Sequence, residues 1–313
     1  MKTLALAGGV GGAKLAAGLQ AALPGGDLAV VVNTADDFDL WGLHICPDID
    51  TVMYTLGDFA NPETGWGVRE ESFEALGMIS TYGEDTWFKL GDRDLATHIL
   101  RTNNLRSGER LTDVTAKLTA AIGIPSNILP MCDEPVSTIL HTPDGSLEFQ
   151  EYFVRRGQKD EVLDVTLRDI EAATVPLEVS KAFSEAEVIV MCPSNPVVSI
   201  GPVLAIPGMR EALAGSSAPK VSVSPIIGGR AIKGPADKMM ASLGHEVSAT
   251  GVARMYAGLL DGFVIGYEDE PEREEIEALG MSVLVTEAVM RDTPDRERMA
   301  REVLEFSRSL ITR

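Results

Sequence analysis

The chain opens on a short apolar run at residues 2–7, breaks at Gly8–Gly12, and then spaces Leu15, Leu19 and Leu23 at helical intervals before a second apolar run at Leu28–Val32. Strand, glycine turn, helix over 14–23 and strand in that order predict a parallel βαβ unit, because short unbroken β-branched runs suit strands buried on both faces. The same alternation returns late. Val188–Met191, Val221–Val223, Phe263–Ile265 and Val283–Val285 are expected as buried strands, with helices near 207–214, 235–243, 250–259 and 270–279 and a last helix over about 294–310. The middle reads differently. Residues 69–122 are expected to be mostly helical, and Val136–Leu140 and Leu147–Val154, joined by Pro143-Asp144-Gly145, are expected as a β-hairpin. The pattern as a whole predicts an α/β protein. Its doubly wound parallel core comes from residues 1–60 and 180–313, and residues 61–179 form an inserted, smaller region with helices and a β-hairpin.

Composition narrows the function. The 313 residues carry 47 acidic and 27 basic side chains, a formal charge of −20. A nucleic-acid partner is therefore not expected, since affinity for a polyphosphate chain rests on Lys and Arg. An anionic substrate must instead meet a local positive field. No apolar stretch approaches the roughly 20 residues that span a bilayer, so no membrane partner is expected. The opening segment lacks the pattern of a secretory leader, and a cytoplasmic location is the expectation. Cys46, Cys132 and Cys192 are widely separated, which signals neither a disulfide framework nor a zinc ribbon.

Several polar segments fall where strands should end, the place at which open α/β sheets bind ligands. Gly8, Gly9, Gly11 and Gly12, followed by Lys14, give a phosphate a close approach to backbone N–H groups at a helix N-terminus. The segment is neither a Walker A loop nor a full G-x-G-x-x-G, and a plain tight turn would read the same way. Asn33-Thr34-Ala35-Asp36-Asp37 ends the second strand, and Asp36 and Asp37 are candidate ligands for a divalent metal or ribose hydroxyls. In Cys46-Pro47-Asp48-Ile49-Asp50, Asp48 suits the cap of a following helix while Asp50 is left to point elsewhere. Gly91-Asp92 suggests another helix start, with Lys89, Arg93 and His98 available to an anion or simply to surface ion pairs. Ser194, Asn195 and Ser199 lie in the loop after the strand ending at Cys192, and Ser224–Arg230 follows the next strand in the same manner.

Together these segments resemble the 2-phospho-L-lactate transferase family, whose product leads to coenzyme F-420. The likeness runs through G-G-V-G-G-A-K-L at 8–15, V-V-N-T-A-D-D at 31–37, C-P-D-I-D-T at 46–51 and K-L-G-D-R-D-L-A-T-H at 89–98. It continues through 127–138, P-S-N-P-V-V-S-I-G-P at 193–202, 224–229 and K-G-P-A-D-K at 233–238. The resemblance implies a Rossmann-like core, a homodimer, and Mg²⁺ as the expected ion. It implies a guanosine-diphosphate-linked donor whose acid is lactyl, enolpyruvyl or glyceryl, the deazaflavin Fo as acceptor through its ribityl hydroxyl, and GMP as leaving group. Asp50 and Lys89 match the family's Fo-contacting positions. Asp50 is the catalytic candidate, either orienting the hydroxyl or accepting its proton. The alternatives are a non-catalytic nucleotide-sugar-binding regulator of the same superfamily and a nicotinamide-dependent dehydrogenase. Phe38–Gly42, where the regulator carries a Gly/Ser-rich basic stretch, and the missing third glycine speak against them.

Overall fold

The computed structural model describes residues 1–311. Seven strands make one parallel sheet: β1 (Thr3–Ala7), β2 (Leu28–Val32), β3 (Asn127–Pro130), β4 (Val188–Met191), β5 (Lys220–Val223), β6 (Gly262–Gly266) and β7 (Ser282–Thr286). Their spatial order is β7-β6-β5-β4-β1-β2-β3, so the chain winds outward from β1 in one direction and from β4 in the other. This is the expected Rossmann-like, doubly wound arrangement. The reversal of winding between β1 and β4 creates a crevice at the carboxyl ends of those two strands.

The strands are largely apolar because both faces are covered. Leu4 and Leu6 of β1, Ile189 and Met191 of β4 and Phe263 of β6 face one core; Ala5, Ala7, Val188, Val190 and Val264 face the other. Alternate residues of one strand thus serve opposite layers, as the period of two demands. The second core also receives Leu15 of α1 (Gly9–Ala22), Ile49 of α2 (Pro47–Leu56) and Met299 of α5 (Thr293–Ile311). All three cysteines are buried and unpaired.

Residues 61–179, expected as an inserted region, are divided between two structures. Asn127–Pro130 joins the central sheet beside β2, in register from Ala29↔Asn127 to Val32↔Pro130. Ser137–Thr142, Gly145–Glu148 and Asp164–Arg168 form a separate antiparallel sheet. The hairpin turn lies where Asp144-Gly145 predicts it, but its second strand ends at Glu148 and Glu151–Arg155 turns helically. The reason is spacing: Phe149 and Phe153, four residues apart, stack at 5.4 Å, a pairing available to a helical turn and not to an extended strand.

Two helices cap each other before the site: α3 (Glu74–Thr81) and α4 (Asp92–Arg106). The Asp92 carboxylate accepts from the N–H groups of Glu74 and Ala75 at 3.0 and 2.9 Å, so it caps α3, not its own helix. Glu71 returns the contact, accepting from Arg93 N–H at 2.8 Å and Asp94 N–H at 3.1 Å. Both acids satisfy first-turn donors that would otherwise be orphaned. Gly91 is required here because a Cβ would fall 1.9 Å from Glu71 Cγ.

Candidate functional site

Gly8–Gly12 is not a turn preceding a helix. α1 begins at Gly9, with Gly8 as its extended N-cap, so the glycines are the first turn of the helix. Only Gly9 among them adopts positive φ, +62°. The others are small because neighbours crowd them. A Cβ on Gly11 would lie 2.2 Å from the Pro193 carbonyl oxygen, one on Gly12 2.6 Å from Ser194 Oγ, and one on Gly8 2.7 Å from both Asp48 Oδ2 and Ser199 Cβ. The glycines therefore let the loop after β4 close onto the N-terminus of α1. Ser194 Oγ accepts from Gly8 N–H at 3.0 Å and donates to Gly8 C=O at 2.8 Å. Asn195 spends its side-chain oxygen on the N–H groups of Val197 and Val198, shaping its own loop. Gly8, Gly9, Gly11, Gly12, Ser194 and Ser199 thus converge at the winding reversal. Lys14 turns aside and donates to Met290 C=O at 2.7 Å.

Beneath this helix end lies a buried carboxylate cluster joined by Asn33. The Asn33 amide donates to Asp36 Oδ2 at 3.1 Å, Asp48 Oδ2 at 3.0 Å and Val198 C=O at 3.3 Å. Asp48 sits in the first turn of α2, but its oxygens go to Asn33 and Gly9 N–H, which places it among the site residues and not as a cap of its own helix. Burial pushes its pKa up to about 6, with the Asp37 charge adding, against the pull of Asn33 and Gly9. Burial, and then the Asp48 charge, hold Asp36 well above the usual carboxylate range. Asp37 is raised too, chiefly by burial, although His44 Nε2 stands 3.7 Å away. Asp36 Oδ1 and both Asp37 oxygens are buried without a hydrogen-bond partner. Hard carboxylate oxygens lacking donors are the chemistry a Mg²⁺ ion takes, so the residues present fit the expected ion.

Asp50, two residues on, faces a different neighbour. It is buried on α2, and both its oxygens are taken by Arg101 of α4: Nη1 donates to Oδ2 at 3.0 Å and Nη2 to Oδ1. His98, expected to be available to an anion or to a surface ion pair, is buried in the same cluster. Arg93 stays on the surface and donates to Arg69 C=O at 3.1 Å. Lys89 is exposed and lines a cleft of about 480 Å³ with Trp66, Arg69, Phe73, Gly91 and Asp94. Asp94 is common to this cleft and to the Asp50 cluster, and so connects them.

Positive charge gathers locally despite the acidic balance. Burial lowers the Lys14 pKa, and Arg296 and Lys233 add to the effect, which places three cations around the start of α1. Lys233 Nζ donates to Thr64 C=O at 3.1 Å. A Cβ on Gly65 would meet Lys233 Nζ at 2.9 Å and Val10 Cγ1 at 3.1 Å, so the loop around Gly65 lies over the glycine turn. Asn33 and Lys233 lie in segments that the sequence singles out without giving them a role, Asp48 is expected only as a helix cap, and Arg296 and Arg101 fall outside every such segment. Asp94, His98 and Arg101 carried a signal, since i, i+4, i+7 spacing puts three polar groups on one helix face. Arg296 carried none, being brought to Lys14 only by the packing of α5 on α1.

Comparison with known proteins identifies the family and the fold. The family profile described as 2-phospho-L-lactate transferase CofD matches residues 3–306. A phosphoenolpyruvate transferase from Streptomyces griseus is 44% identical, with 98% of each chain covered. A 2-phospho-L-lactate transferase from Methanosarcina mazei is 41% identical, covering 95% of this chain and 98% of its own. A UPF0052-family protein from Bacillus halodurans shares the fold, with a TM-score of 0.67 at 16% identity over 97% of this chain and 98% of that one. The chain belongs to the 2-phospho-L-lactate transferase family and is a transferase.

Proposed function

We propose that this transferase moves a phospho-acid from a guanosine-diphosphate-linked donor to the ribityl hydroxyl of Fo, releasing GMP, in the formation of coenzyme F-420. The acid is 2-phospho-L-lactate or its enolpyruvyl or glyceryl counterpart, and the names of the two curated relatives supply the first two possibilities. One observation carries the reading. At the winding reversal, the N-terminus of α1, with Lys14 and its neighbouring cations Lys233 and Arg296, lies over buried carboxylates that include three oxygens without a hydrogen-bond partner, beside a cleft that holds Lys89. That combination suits a diphosphate, a divalent ion and a second substrate at once.

In this reading the donor diphosphate sits at the N-terminus of α1, against the loop of Ser194, Asn195 and Ser199. Asp36 and Asp37, with Asp48, are the groups that would hold Mg²⁺, which when bound neutralises charge on the diphosphate. Fo occupies the cleft lined by Lys89, its ribityl chain directed toward Asp50. The ribityl oxygen forms a bond to the phosphorus bearing the acid, the bridging P–O bond to GMP breaks, and the hydroxyl proton leaves to solvent. Asp50 orients the hydroxyl, its carboxylate being held on both oxygens by the Arg101 guanidinium. Among the described residues no helix is long and apolar enough to cross a membrane. A homodimer follows from the family reading and suits α3, none of whose residues is buried, with Met78 on it 51% exposed and Tyr82 at its end 78% exposed.

Titration calorimetry tests the ligand assignment. Fo and, in the presence of Mg²⁺, GDP should each bind with one-site stoichiometry. A response to UDP-sugars with none to Fo would replace the transferase reading with that of a nucleotide-sugar-binding protein.

A further inference from the structure

Arg101 is an anomaly of burial. It is 0% exposed on α4, and an arginine is almost never taken fully out of water unless its charge is matched. Its match is Asp50, held by both terminal nitrogens. The pairing raises the Arg101 pKa further although burial opposes it. Two more groups complete the cluster. Arg101 Nη1 also donates to His98 Nδ1 at 3.2 Å, and because a guanidinium cannot accept, the His98 proton resides on Nε2. That nitrogen stands 3.1 Å from Asp94 Oδ1. The same oxygen accepts from the Tyr54 hydroxyl at 2.6 Å. Burial opposes the Asp94 charge, yet His98, Tyr54 and Arg101 together hold its pKa below the usual carboxylate range.

We infer that Arg101 is the positioning residue of the transfer reaction, fixing the Asp50 carboxylate in one orientation so that it serves as a rigid acceptor for the substrate hydroxyl. The inference rests on the reading that Asp50 meets the acceptor. The physical argument is that a lone buried carboxylate can rotate and so lose a defined acceptor direction. A bidentate guanidinium prevents this, since its planar fork matches both carboxylate oxygens. His98 Nδ1 accepts from Nη1 and helps hold the fork in place. Asp94 carries the cluster to the wall of the Lys89 cleft, so substrate in that cleft adjoins an element whose geometry Arg101 sets.

The test is steady-state kinetics of Asp50→Asn, Arg101→Met, Arg101→Lys and Asp50→Asn with Arg101→Met, using Fo, the enolpyruvyl and lactyl GDP donors and Mg²⁺, with a melting curve for each. Arg101→Met leaves the Asp50 carboxylate without its fork, so kcat should fall about 10²-fold while donor KM stays near the wild-type value. Arg101→Lys keeps the charge and loses the fork; kcat should fall by about tenfold or more, again with donor KM kept. The double variant should be no slower than Asp50→Asn, since both changes disable one unit. Wild-type kcat in folded Arg101→Lys or Arg101→Met overturns the inference, as does a fall in kcat matched by an equal rise in donor KM, and as do additive losses in the double variant. If Arg101→Met does not fold, Arg101→Lys decides alone. Asp50→Asn with wild-type turnover and Fo affinity would instead remove Asp50 from the site, an outcome separable from failure of Arg101.

Discussion

Ser194 and Gly8, 186 residues apart in the chain, exchange two hydrogen bonds: Gly8 N–H to Ser194 Oγ at 3.0 Å and Ser194 Oγ–H to Gly8 C=O at 2.8 Å. The pair fastens the ends of β1 and β4, the two strands from which the sheet winds in opposite directions. The donor site of the proposed reaction depends on that closure, because the glycine turn and the Pro193–Ser199 loop are its two walls.

Gly11→Val should separate these walls. Its Cβ would fall 2.2 Å from the Pro193 carbonyl oxygen, a backbone atom that cannot yield without moving the loop. The expected result is a loss of about 1–3 kcal/mol in stability and at least a tenfold weaker GDP affinity, with Fo affinity largely kept. A melting curve and GDP calorimetry measure both. Unchanged GDP affinity in the folded variant would make the glycine turn purely architectural.

Asp48→Asn should change stability in a pH-dependent way. The folded pKa of Asp48 is raised from 3.8 to about 6. The native state thus holds a proton that the unfolded state has released across that window, and stability falls as pH rises from about 4 to about 6 and stays reduced above it. Asn carries no such penalty. The ligand-free variant should melt higher than wild type at pH 7.5, and the advantage should shrink toward pH 4. Scanning fluorimetry of both proteins at pH 4.5, 6 and 7.5 checks this. An offset independent of pH would mean that Asp48 is not titrating in that range.

Lys233→Met should weaken donor binding by about tenfold, the usual cost of losing one charged hydrogen-bond partner. It should leave the melting temperature nearly unchanged, because Lys233 makes its hydrogen bond to Thr64 C=O at an exposed site. Donor KM, measured beside Fo KM, separates the effects. Equal rises in both would assign Lys233 to loop order and not to the diphosphate.

Much of this was legible in the chain. Buried strands such as Leu28–Val32 and Val188–Met191 are apolar without interruption, and parallel strands covered on both faces leave little else for such runs to be. The family resemblance rested on polar segments at strand ends, and the fold brings those at Gly8 and Ser194 together. Partnership was less legible than position. Asp48 suited a helix cap by its place in the chain, yet its oxygens face Gly9 and Asn33 because α2 runs beneath the start of α1. Asp92 likewise caps a neighbouring helix, a contact across 17 residues to Ala75 that no local rule contains. Arg101 falls outside every motif in the sequence, and its role comes only from the fold, which sets the Asp94–Arg101 face of α4 against Tyr54 and Asp50 of α2.

The central claim is group transfer to Fo, and a mass-spectrometric turnover assay tests it most directly. Purified protein is incubated with Fo, Mg²⁺ and, in separate reactions, the lactyl, enolpyruvyl and glyceryl GDP donors. With at least one donor, Fo should be replaced by its phospho-acid ester while GMP appears in equal amount. Donor intact and Fo unchanged with all three, under conditions where both ligands bind, would contradict the account.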